Sequence, residues 1–188
     1  MSRWEGDAAG RLERAALELF DERGFDRTTV AQIAKRADLN ERSFYRYFSD
    51  KREVLFGGGD ELKLRLELAL REVPAETGPL DTLLAALLDA ADVFRPKELL
   101  LIRKRVIDAN PELRERELSK MDAIYAAFVA GLRDRGADAT TARIATDMAM
   151  SIWRVAAERC LSSDDDITVD AAVRWATAHL RRIAAGAA

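Results

Sequence analysis

The sequence predicts an all-α protein in two parts: an N-terminal head of three helices forming a helix-turn-helix, and a larger helical body. Three observations predict it. Apolar residues recur at helical spacing along most of the chain, with ample Ala and Leu and few β-branched runs. Thr, Asn, Asp, Gly and Pro fall where such helices would start and stop. At 188 residues, 48% hydrophobic and 34% charged, the chain can bury a substantial core.

In the head, Leu12, Ala15, Ala16, Leu19 and Phe20 share one helical face, so residues 11–23 read as an amphipathic helix that Gly24 stops. Thr28 or Thr29 caps a second helix with Val30, Ile33, Ala34 and Ala37 inside. Asp38-Leu39-Asn40 forms the turn, and Asn40 caps a short third helix, Glu41 to Phe48. Ser49 or Asp50 caps a fourth. Gly57-Gly58-Gly59 interrupts it, since each Gly costs about 1 kcal/mol in a helix relative to Ala, and helix is expected again from Asp60 to about Arg71. The head is therefore assigned residues 1–56 and the body 57–188.

In the body, Val73 to Pro79 reads as a linker and Leu80 to Phe94 as a helix. Pro96 and Pro111 fit the first position of two more helices. Arg133 to Ala139 reads as a polar loop. The last two helices, Thr140 to Leu161 and Thr168 to Ala185, confine their polar residues to one narrow stripe, including Arg143, Asp147, Ser151, Arg154 and Glu158. Such helices bury more than one side, which predicts dimerisation through residues 140–185. Asp164-Asp165-Asp166 lacks calcium-loop spacing and reads as a solvated loop.

The net charge of −3 is unevenly distributed. Residues 27–52 hold seven Lys/Arg against three acids, a local +4 that leaves −7 for the rest. A basic island in an acidic chain is what local contact with phosphates needs. One histidine, His179, and one cysteine, Cys160, exclude an intramolecular disulfide and offer neither a metal-ligand cluster nor a Ser-His-Asp triad. Cys160 reads as a small buried hydrophobe ahead of a redox-sensing thiol. No enzyme activity and no cofactor are expected. Residues 1–10 lack the apolar core of a signal peptide, and no apolar run could cross a bilayer. A cytoplasmic chain with no membrane partner is the expectation.

The chemistry concentrates in the third helix. At 100° per residue Phe44 and Phe48 point together, while Arg42 and Arg46 lie nearly opposite, one turn apart. An aromatic anchor with two outward arginines suits entry into a DNA major groove, where Arg pairs bidentately with guanine O6 and N7. Thr29, Tyr45, Tyr47 and Lys51 suit phosphates, and Thr28 joins the candidate set. A solvated arginine face is the alternative, and the flanking helix, three-residue turn and Lys51 weigh against it.

Gly24-Phe25 with Thr28-Thr29-Val30, Ile33-Ala34, Ala37-Asp38-Leu39-Asn40, and Phe44-Tyr45-Arg46-Tyr47-Phe48 with Lys51 resembles the head of the tetracycline-repressor (TetR) family, over roughly residues 11–56. The resemblance implies an all-α homodimer whose third helix reads a palindromic operator in double-stranded DNA, and a variable body that binds a small-molecule effector. By position it implies phosphate contacts from Thr29, Tyr45, Tyr47 and Lys51, with Asn40, Glu41, Arg42, Ser43 and Arg46 facing or flanking bases. The chain departs from the family at Asp38, where Gly is usual, at Tyr47, where His is usual, and in the triple glycine.

The resulting expectation is a ligand-responsive, sequence-specific regulator, a repressor released by a small apolar or amphipathic molecule. The alternative is a constitutive DNA binder without a ligand. Met121, Tyr125, Phe128, Met148 and Trp153 are the candidate ligand residues, or equally ordinary core. Arg103-Lys104-Arg105 reads first as a salt-bridged surface and second as the seat of an anionic group through Arg103.

Overall fold

The computed structural model describes residues 8–56, 59–90, 96–163 and 167–186, with the side chains of 59–62 excepted. Among them every regular element is an α-helix: α1 (Ala8–Arg23), α2 (Val30–Arg36), α3 (Glu41–Tyr47), α4 (Glu53–Phe56), α5 (Gly59–Glu72), α6 (Pro79–Asp89), α7 (Lys97–Asp108), α8 (Pro111–Asp134), α9 (Ala139–Ser162) and α10 (Val169–Ala184). None is long and apolar enough to cross a membrane.

Local chemistry sets the helix boundaries. Gly24 takes φ 86° and donates to Phe20 O at 2.9 Å, closing α1 in a conformation that suits Gly. Thr29 caps α2 reciprocally: its hydroxyl accepts from Gln32 N, and its own N–H donates to Gln32 Oε1. α2 ends in the left-handed residue Asp38, φ 55°, whose N–H donates to Lys35 O while Leu39 N donates to Ala34 O. These two bonds satisfy carbonyls that the helix end would leave unmet. The position favours Gly, and Asp is among the few residues that tolerate it.

Several ends differ from expectation. Pro96 sits at the cap of α7, one residue before the helix, because its ψ of 144° is extended. The α6 helix stops at Asp89, with Ala90 as its cap, while the rest of the expected span, 91–94, lies outside the described residues. So do Gly57 and Gly58 of the expected break and the 164–166 loop; Gly59 already begins α5.

The chain packs as two units, and these are not the segments 1–56 and 57–188. The first joins residues 1–59 to 95–119; the second joins 60–94 to 120–188. In the first, Leu12, Phe20, Ile33, Phe44 and Leu55 share a core with Leu99, Val106, Ile107 and Leu113. The sequence marks α7 by Pro96 at its start and does not name its partner, which is α1. Each such aliphatic side chain contributes about 1.5–3 kcal/mol when fully buried, so α7 adds substantially to the head. Arg103 ties the same unit together: Nε donates to Leu55 O at 2.7 Å and Nη1 to Glu117 at 2.8 Å. Arg116 pairs with Glu53.

In the second unit, α9 packs against α6 and α10. Leu66, Leu70, Leu83, Phe128, Leu132, Ala149, Ile152 and Val173 fill its core. Arg135 closes the end of α5 by donating to Leu70 O, Val73 O and Pro74 O at 2.9, 2.9 and 2.6 Å. A cation among those carbonyls also complements the negative end of the helix dipole. At Gly131 of α8 an added Cβ would meet Leu70 Cδ1 at 2.8 Å, so the close approach of α5 requires glycine there.

Candidate nucleic-acid interface

α3 is two-sided. Phe44 is fully buried and Phe48 nearly so, their rings 5.5 Å apart at 46°. Glu41, Arg42, Tyr45, Arg46 and Tyr47 are all exposed. The helix starts at Asn40, whose Oδ1 accepts from Ser43 N at 2.9 Å and from the Ser43 hydroxyl at 3.1 Å. Both polar side chains at this corner are thus partly committed to the helix start. Tyr45, 56% exposed, sets its ring edge-on to Phe44 at 5.5 Å. Arg46 Nη2 donates to the Tyr47 hydroxyl at 2.8 Å.

The basic island is partly neutralised inside the head. Arg36 forms a bidentate pair with Glu22 at 2.9 and 2.8 Å and reaches Glu18 at 3.3 Å. The hydrogen bond from Arg36 holds the Glu22 carboxyl below its usual range, and Glu22 in turn raises the guanidinium. Arg52 pairs with Asp50 at 2.9 Å. Burial alone would raise the Asp50 carboxyl, but bonds from Arg52 and from the backbone of Glu53 and Arg52 bring it below its ordinary value. Asp50 also caps α4, accepting from Arg52 N and Glu53 N. Lys35, Arg42 and Arg46 stay exposed, with no ion pair recorded for them among the described residues.

Two candidates must be reassigned. Thr28 is 1% exposed, and its hydroxyl is bound within the fold, to Gly24 O at 2.9 Å and Leu19 O at 3.2 Å. It holds the turn together and offers nothing outward; Thr29, exposed, takes the outward place. Lys51 is half-buried, with Nζ 2.6 Å from Phe25 O and 3.0 Å from Thr28 O. Burial lowers the pKa of its ammonium, against the opposing pull of Asp26. It is not a free cation. The Gln32 half of the α2 capping box went unremarked in the sequence, although Thr followed three residues later by Gln is its readable signature.

The candidate ligand residues separate. Arg103 belongs to the first unit, where Leu55 O and Glu117 occupy it and it lies 5.4 Å from the Phe56 ring. Its neighbours are paired too, Lys104 with Asp108 and Arg105 with Asp21, each at 2.6 Å. The triplet is a salt-bridged surface, with Arg103 held by Leu55 O and Glu117 within the first unit. The other five lie in the second unit: Phe128 fully buried, Trp153 packed on the same core, Tyr125 and Met148 half-buried, and Met121 38% exposed. Among the described residues, no group of His, Cys, Asp and Glu could hold a metal ion.

Comparison with known proteins falls on the same head. Residues 13–56 match the family described as bacterial regulatory proteins, tetR family. An uncharacterized HTH-type transcriptional regulator of Mycobacterium bovis is 32% identical over 101 residues, 54% of this chain and 52% of that protein. The HTH-type transcriptional regulator TcmR of Streptomyces glaucescens is 37% identical over 76 residues, 40% of this chain and 34% of TcmR. The chain thus spans about half the length or less of these curated relatives. Among solved structures, FadR of Thermus thermophilus, a TetR-family transcriptional repressor in complex with lauroyl-CoA, superimposes with TM-score 0.55 at 24% identity, covering 93% of each chain. A SmeT–triclosan complex gives 0.63 at 18%, covering 92% of this chain and 90% of that one. At such identities the likeness is one of fold. Residues 13–56 are thus similar to the family of bacterial regulatory proteins, tetR family, and the chain around them shares the fold of these solved structures.

Proposed function

We propose that this protein is a sequence-specific DNA-binding transcription regulator, a repressor that binds a palindromic operator as a homodimer and leaves it when a small apolar or amphipathic molecule binds the body. One observation carries the DNA reading: α3 buries Phe44 completely while turning Arg42, Tyr45, Arg46 and Tyr47 to solvent. A helix anchored by aromatics on one side and bearing two exposed guanidinium groups on the other matches what the major groove reads. Thr29, Tyr45 and Tyr47 are the phosphate contacts, and Arg42 and Arg46 the base readers, flanked by Asn40, Glu41 and Ser43. Sequencing the genomic fragments that the protein retains tests this. Fragments sharing a palindrome support it; fragments with no common sequence refute specific reading.

The effector arm rests on the apolar second unit and on relatives solved with triclosan and lauroyl-CoA. The site is placed among Met121, Tyr125, Phe128, Met148 and Trp153, without Arg103. A thermal-shift screen of lipophilic and acyl-thioester compounds tests it, since a ligand of the native state raises the melting temperature. A hit must also weaken operator binding by its differential affinity for the two states. If no compound does both, the constitutive DNA binder replaces the ligand-responsive one.

The dimer is placed on α9 and α10. Ile144, Val155 and Ile183 are 54, 39 and 72% exposed there, beside exposed Ala171 and Ala178. Apolar and small side chains left in solvent on adjacent helices suit a self-complementary two-fold contact.

A further inference from the structure

Lys51 differs from the ion-paired arginines of the basic segment in what holds it. Carboxylates engage Arg36 and Arg52, whereas backbone carbonyls engage Lys51. Its Nζ lies 2.6 Å from Phe25 O, 3.0 Å from Thr28 O and 3.5 Å from Asp26 O, and 4.2 Å from the centroid of the Phe25 ring. An ammonium carries three protons, and these three carbonyls receive them. Reaching out to a phosphate would strip the carbonyls of their donor and give up the ring contact. Phe25 to Thr28 is the turn between α1 and α2. It fixes Thr28, buried and bonded to Leu19 O and Gly24 O, and through it Thr29, whose exposed hydroxyl begins α2.

We propose that Lys51 is a positioning residue of the DNA interface: it clamps the 25–28 turn so that Thr29 and α2 stand correctly, and it donates no hydrogen bond to DNA. This deepens the proposed DNA reading and depends on it for its functional consequence. It reverses the expectation, drawn from the family resemblance, that Lys51 grips a phosphate. The two roles leave different signatures. A cation that neutralises a phosphate releases counterions, so its loss makes the fall of log affinity with log salt shallower by about one. A clamp leaves the salt slope alone and acts through the residue it positions.

The test measures fluorescence anisotropy of a random-sequence duplex with the full chain, across salt, for wild type, Lys51→Met, Thr29→Val and the double variant. Met keeps an unbranched side chain and removes the donors. Lys51→Met should weaken binding roughly tenfold, as loss of charged hydrogen bonds of about 1.5–3 kcal/mol implies, with the salt slope unchanged. The double variant should bind no more weakly than the weaker single variant, because both changes disable one element. A slope shallower by about one, with additive losses, would overturn the clamp. Amide hydrogen exchange of the unliganded protein decides independently of DNA. Thr28 and Thr29 N–H should exchange faster in Lys51→Met while α8 and α10 keep their protection, and unchanged exchange at both would also overturn it. Wild-type protein that fails to bind any duplex at low salt would sink the DNA reading, while the exchange measurement would still judge the clamp.

Discussion

The guanidinium of Arg46 lies 4.7 Å from the centroid of the Tyr47 ring and donates to the Tyr47 hydroxyl at 2.8 Å. Adjacent residues on a helix point about 100° apart, so this contact draws Arg46 toward one edge of α3. The hydroxyl accepts from Arg46 and keeps its own proton for an outside acceptor. Tyr47→Phe should therefore weaken binding to all duplexes alike, by about 0.5–1.5 kcal/mol, without changing the salt slope, because no charge is lost. Anisotropy titrations on operator and random duplexes check this. A loss confined to the operator would mean that Tyr47 reads a base.

Asn40 starts α3 with one acceptor oxygen, bound by Ser43 N and the Ser43 hydroxyl. Asn40→Ala should cost about 1 kcal/mol of stability, a fall in Tm of roughly 2–4 °C for a chain of this size. Asn40→Asp should hold the wild-type Tm, since a carboxylate caps equally well. Thermal melts followed by circular dichroism separate the two, and a full loss in the Asp variant would show that the amide protons matter.

Asp38 sits at φ 55°, where the bonds from Asp38 N and Leu39 N finish α2. Replacing it by Gly relieves the left-handed strain but loosens the unfolded chain, so the net change should stay within about 1 kcal/mol. Asp38→Val should cost about 1–2 kcal/mol or more, because a β-branched residue fits that conformation poorly. Urea titrations of both variants measure it, and a harmless Val variant would contradict the turn described.

Ile144 and Val155 on α9 are exposed at helical spacing, 54 and 39%. In the proposed dimer they become buried, so Ile144→Asp with Val155→Asp should yield monomers that keep their helical content. Light scattering at micromolar concentration checks this. A wild type that is already monomeric removes the dimer altogether.

The local arrangement of the head was legible in the sequence. The spacing of Phe44 against Arg42 and Arg46 fixes which side of α3 faces the core, because a helix leaves no freedom in that angle. Asn40 and Asp50 announce helix starts by their side-chain chemistry, and Gly24 announces a helix stop by its backbone freedom. What stayed hidden depends on contacts between residues far apart in the chain. Thr28 and Thr29 are equivalent as capping candidates in sequence; the bond from Thr28 to Leu19 O, nine residues back, separates them. Lys51 reaches a carbonyl 26 residues away, and Arg103 one 48 residues away. Periodicity reports that such side chains are cationic and amphipathic, not which backbone oxygens the fold carries to them. The same limit hid the docking of α7 on α1.

In the proposed complex α3 reads base identity through Arg42 and Arg46. The most direct measurement compares the affinity of wild type and the Arg42→Ala, Arg46→Ala double variant for a palindromic duplex recovered by genomic selection and for the same duplex with its half-sites scrambled. Each arginine should contribute about 1–3 kcal/mol of discrimination, so the double variant should lose most of the wild-type preference while its fold and residual binding to scrambled DNA persist. A double variant that keeps the full preference between the two duplexes would contradict the account.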